Sequence, residues 1–72
     1  MYVIVEIQTY ENGTIGTLIE TADNWNQAQS VFHMKLASAA ISGLPNHAVT
    51  LLNNLGQPLD FQSYTANQEA EA

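Results

Sequence analysis

The chain has 72 residues, no cysteine, no arginine and a single lysine against seven acids, for a net charge of −6. Disulfides and thiolate metal sites are therefore excluded, and one cation per chain is poor equipment for a nucleic-acid backbone, which draws on several Lys or Arg contacts. A domain of this size buries only roughly 60% of the surface its unfolded chain exposes, so a partner subunit is the expected source of added stability.

Met1 to Tyr10 is apolar but short, carries Glu6 and Gln8, and lacks the basic start and small-residue cleavage site of a signal peptide. No apolar run approaches the roughly 20 residues that span a bilayer. The expectation is a soluble protein that stays in the cytoplasm where it is made, with no membrane, DNA or RNA partner.

Residues 2–10, YVIVEIQTY, are rich in β-branched and aromatic types, and Glu11-Asn12-Gly13-Thr14 interrupts them before a second strand over 14–21. Asn-Gly between two such runs signals a hairpin, because both residues tolerate positive φ. A two-residue turn at Asn12-Gly13 would set Tyr10 opposite Ile15, Ile7 opposite Leu18 and Val5 opposite Glu20. Val3, Val5, Ile7 and Leu18 then share one face. Ile4, Tyr10, Ile15 and Ile19 share the other with Glu6, Gln8 and Thr17, a mixture that hints at a further contact.

Asp23 is the expected N-cap of a long helix reaching Ser42, with Gly43 as its stop and Pro45 preventing resumption. At 100° per residue Trp25, Ala28, Phe32, Leu36, Ala39 and Ala40 form one stripe, suited to a sheet. Val31, Met34, Ala37 and Ile41 fall on the side and back, where a helix packed only on its own sheet is usually polar. These four are the expected oligomer interface. Runs at 47–53 and 59–64 read as third and fourth strands, separated by Asn54, Gly56 and Pro58. The last residues, 65–72, are polar and acidic and read as a disordered tail. The whole is an α+β chain: a single ββαββ domain over 1–64, a four-stranded antiparallel sheet with one long helix packed on one face. Strand order is open.

The two histidines, His33 and His47, are the first candidates for a functional site, and Lys35 is the one side chain able to neutralise an anion. With Asn46 and Thr50 as neutral hydrogen-bonding groups they form the expected ligand site. No HxxH or HExxH spacing points to metal, and no Gly-x-Ser-x-Gly elbow points to a nucleophile, so no metal, no cofactor and no catalysis are expected.

The stretch Phe32-His33-Met34-Lys35-Leu36-Ala37-Ser38-Ala39-Ala40-Ile41-Ser42, then His47 and the Asn54-Leu55-Gly56 turn, resembles a group of short phage-encoded proteins. In that group an aromatic-His pair opens an Ala-rich helix end and a second His begins the next strand. The resemblance implies a phage or prophage origin, expression in the bacterial host cytoplasm and an accessory, counter-defence role. Two forms of that role are expected. One is a homo-oligomer that sequesters a small nucleotide-like anion at its subunit interfaces, and the other is an inhibitor that docks on a host protein through its helix or a sheet edge.

Overall fold

The computed structural model describes residues 1–65, so the expected tail lies outside the described residues except for Thr65. Strand β1 is Tyr2–Thr9, β2 is Ile15–Ala22, helix α1 is Trp25–Ile41, β3 is Asn46–Asn53 and β4 is Pro58–Tyr64. The fold is the α+β arrangement of one four-stranded antiparallel sheet and one helix, with strand order β2-β1-β3-β4. Because β1 is antiparallel to both neighbours, β2 and β3 run parallel on either side of it. The chain must cross β1 to join them, and α1 makes that crossing. The helix therefore lies over the sheet centre, chiefly over β3 and β1. It is not long and apolar enough to cross a membrane.

The first hairpin departs from the expected register by one residue. Tyr10 N–H donates to the Thr14 carbonyl and Gly13 N–H to the Tyr10 carbonyl, each at 2.9 Å, while Gly13 takes φ +87°. Glu11, Asn12 and Gly13 thus form a three-residue loop, in which the glycine absorbs the left-handed conformation that closes it. Asn12 Oδ1 accepts from Thr14 N–H at 2.9 Å. Thr9 now faces Ile15, Ile7 faces Thr17 and Val5 faces Ile19. A slip of one residue turns every β2 side chain to the opposite face. Leu18 consequently joins Ile4 and Glu6, while Ile15 and Ile19 join Val3, Val5 and Ile7.

The helix covers the Ile4 and Glu6 side. Phe32 fills the centre of a core with Ile4, Val49, Leu51, Ala22 and Ala28, and Tyr2, Val31 and Leu36 pack around it. Alanines at 28 and 39 are buried because they bring the helix backbone close to the strands. Trp25 lies at the rim, its ring edge-on to Tyr2 with centroids 5.5 Å apart, and Ala40 faces solvent. The expected stripe is thus narrower than its spacing suggests. Asn24, not Asp23, is the N-cap: its side chain accepts from Gln27 N–H at 2.8 Å, and Gln27 reaches back to Asp23 N–H at 3.3 Å. The first of these bonds satisfies an orphan donor of the first turn.

The opposite sheet face is open. Strand alternation and register place Val3, Val5, Ile7, Ile15, Ile19, Leu52 and Phe61 on it, among Thr17, Thr21, Ala48, Thr50 and Ser63. Glu6, Glu20, His47 and Asp60, the charged or titratable His and carboxylate residues of the strands, all lie on the helix side.

Candidate functional site

Glu6 is the fifth residue of β1 and the polar exception in its apolar run. Its even position puts it beneath the helix beside Ile4, where it is buried at 4% exposure. A carboxylate so placed must be compensated, and three elements supply partners. Lys35 of α1 brings its Nζ within 3.3 Å of Oε1. His47, at the start of β3, points Nε2 at Oε2. Gln8, two residues along β1 on the same face, donates from Nε2 to Oε2 at 3.4 Å and accepts at Oε1 from the Tyr10 hydroxyl at 2.7 Å. Lys35 is shared, with Glu20 of β2 at 3.0 Å. No buried side-chain polar atom among the described residues lacks a partner.

Burial pushes the Glu6 carboxyl upward, but hydrogen bonds from His47 and Lys35, the Lys35 charge and the Gln8 amide outweigh it. They hold the carboxyl below its ordinary value of 4.5. The hydrogen bond to Glu20 is the largest influence on Lys35. With the bond and charge of Glu6, and against desolvation, it raises the ammonium above 10.5.

His47 also ties the sheet to the helix end. Its Nδ1 lies 3.0 Å from the hydroxyl of Ser42, the C-cap residue, which donates to the Ala39 carbonyl at 3.1 Å. With both ring nitrogens protonated, every one of these bonds is satisfied. In the neutral ring with Nε2–H kept for Glu6, the Ser42 hydroxyl must turn from Ala39 to Nδ1. Around this cluster Glu6, Gln8, Met34, Lys35, Ser38, Ser42, Leu44 and His47 line a cleft of about 530 Å³.

Ser42, His47 and Glu6 stand in the order of nucleophile, base and orienting group, yet the site is ill suited to acyl transfer. Ser42 caps the C-terminal end of α1, where unpaired carbonyls and the negative end of the helix dipole oppose an oxyanion. Anion capture meets a similar obstacle, since Lys35 already faces two carboxylates. Among the described residues no three His, Asp or Glu side chains gather as a metal site.

Of the five expected ligand residues, the cleft brings together Lys35 and His47. Asn46 and Thr50 differ from His47 by odd numbers along β3, so alternation turns them to the open sheet face, where Thr50 pairs with Val5 and Phe61. His33 lies on the helix surface, its ring edge-on to Phe32 at 5.6 Å. Of the four expected interface residues, Val31 packs partly into the core, while Ala37 is exposed, as are Met34 at 66% and Ile41 at 86%. Met34 also lines the cleft. Glu6, Gln8, Glu20 and Ser42 escaped the sequence reading. A lone acid at an alternating position in an apolar strand was the available signal for Glu6. The others depend on strand order and on where the helix ends. Comparison with family models, with curated proteins and with solved structures returns no match.

Proposed function

We propose that this chain is a non-enzymatic binding protein that works by surface association through its open sheet face. One observation carries this. A sheet covered on one side ordinarily turns polar side chains to water on the other, whereas here, among the described residues, the uncovered side holds aliphatic and aromatic residues with Thr, Ala, Ser and Asn46 and no charged strand residue. Ile15, Ile19 and Phe61 are 63%, 65% and 57% exposed. Such a contiguous apolar patch marks an interaction surface. In the phage setting implied by the sequence resemblance, the role would be that of an accessory protein.

The test compares the full chain with Ile19→Lys, a change at an exposed position that leaves the core intact. The wild type should travel in bacterial lysate as a particle larger than one 7.9 kDa chain, and the variant as a lone folded chain. A wild type that travels alone overturns the proposal. A second reading, capture of a small nucleotide-like anion, draws on the convergence of Lys35 and His47 on one cleft. Calorimetry with a panel of cyclic and linear nucleotides tests it, and uniform silence removes it.

A further inference from the structure

We infer that the open sheet face seats a second copy of this chain, forming a two-fold dimer with the two sheets stacked face to face and the helices outside. The inference rests on the proposed role of that face and names its occupant. Three observations favour a second copy.

The first is charge. The chain carries a net charge of −6, so two copies repel wherever carboxylates meet. The strand carboxylates Glu6, Glu20 and Asp60 lie on the helix side, and Glu11 and Asp23 lie in the connections. Among the described residues the open face is a surface on which two copies meet without bringing like charges together, and it offers no charged anchor there with which to orient a different partner.

The second is area. Four strands about 4.8 Å apart, with about eight residues at roughly 3.3 Å each, give a footprint of roughly 500 Å² per copy. Two copies bury about 1,000 Å² before side-chain corrugation is added, which meets the threshold of about 1,000 Å² that a biological interface should clear.

The third is self-complementarity. Register places Ile19, Val5, Thr50 and Phe61 in one row straight across the four strands. The two bulky, exposed residues stand at its ends and the smaller ones between. A two-fold axis lying in the plane of contact and running along the strands between β1 and β3 sets Ile19 of each copy against Phe61 of the other. Both large side chains are covered by the same contact, as an isologous interface requires.

Sedimentation equilibrium of the purified full chain at micromolar concentration should report twice the 7.9 kDa chain mass. Ile19→Lys and Phe61→Glu should each sediment as folded monomers, and an equal mixture of the two should recover the dimer through a Lys–Glu pair across the axis. A monomeric wild type, variants that remain dimeric, or a mixture that stays monomeric each overturns the inference. Should the variants not fold, a soluble paramagnetic probe applied to the wild type decides. Shielded Val5 and Ile19 methyls support the dimer, and relaxed ones overturn it. A pure monomer whose lysate particle is large and sensitive to Ile19→Lys sinks the second copy while leaving the proposed function standing.

Discussion

Replacing Glu6 by glutamine removes one charge from the centre of the buried cluster while keeping its shape. Glu6 holds Lys35 at 3.3 Å and His47 on its other oxygen. Removing one partner of a buried ion pair costs about 3–5 kcal/mol, because the opposite charge is left uncompensated. One feature reduces that figure here: Lys35 keeps Glu20 at 3.0 Å. A cost of about 2–3 kcal/mol follows, against a total stability of about 4–11 kcal/mol for a chain of this length. With an unfolding entropy of about 2.1 cal/mol/K per residue, the midpoint should fall by about 13–20 °C.

The pH dependence carries its own sign. The Glu6 carboxyl is held below 4.5 in the folded chain, so its contribution is present above that value and is lost as pH falls through the folded-state value. The gap between wild type and Glu6→Gln should be widest at neutral pH and close in acid. Lys35, raised above 10.5, contributes below that pH, and its share disappears as pH rises through its folded-state value. Thermal and urea unfolding at one fixed protein concentration make the measurement, since association shifts apparent stability by mass action. A neutral-pH gap under about 0.5 kcal/mol, smaller than a typical hydrogen bond contributes, would refute the reasoning. So would a gap of equal size in acid.

Phe32→Ala should cost about 3–5 kcal/mol, because Phe32 is 1% exposed at the core centre; a cooperative melt near the wild-type midpoint would contradict that placement. Gly13→Ala should destabilise by about 1 kcal/mol, since φ is +87° there, and an unchanged urea midpoint would argue against the three-residue loop. Met34→Glu should leave the sedimented mass unaltered, because Met34 projects from the helix away from the open sheet face; a fall in mass would move the assembly surface onto α1.

The element sequence was legible because its signals are local. Asn12-Gly13 breaks the first apolar run, Gly43 and Pro45 stop the helix, and Asn54, Gly56 and Pro58 part the last two strands. Two of the six residues of the buried cluster were legible too, since Lys35 and His47 are conspicuous in a chain with few titratable groups. The stripe of Ala28, Phe32 and Ala39 likewise follows from helical periodicity, whereas Trp25 and Ala40 share that periodicity yet stay exposed.

Which side of the sheet lies under the helix was decided elsewhere. Val3, Val5 and Ile7 look more like a core face than Ile4 beside Glu6 and Gln8. Alternation along β1 separates the two sets but does not say which is covered. The additional residue in the Glu11–Gly13 loop turns Ile19 to the open face and Leu18 to the helix side of the sheet, and the β2-β1-β3-β4 order sets His47 beside Gln8. Only then do Lys35 and His47 compensate Glu6, so that the charged face becomes the buried one. Residue identity alone determined the strands, the helix and their order along the chain, because turn chemistry and periodicity act over a few neighbours. The covered face, the buried ion cluster and the bare apolar surface were decided by the tertiary structure, because pairing between distant strands and a one-residue register choice act on the whole sheet at once.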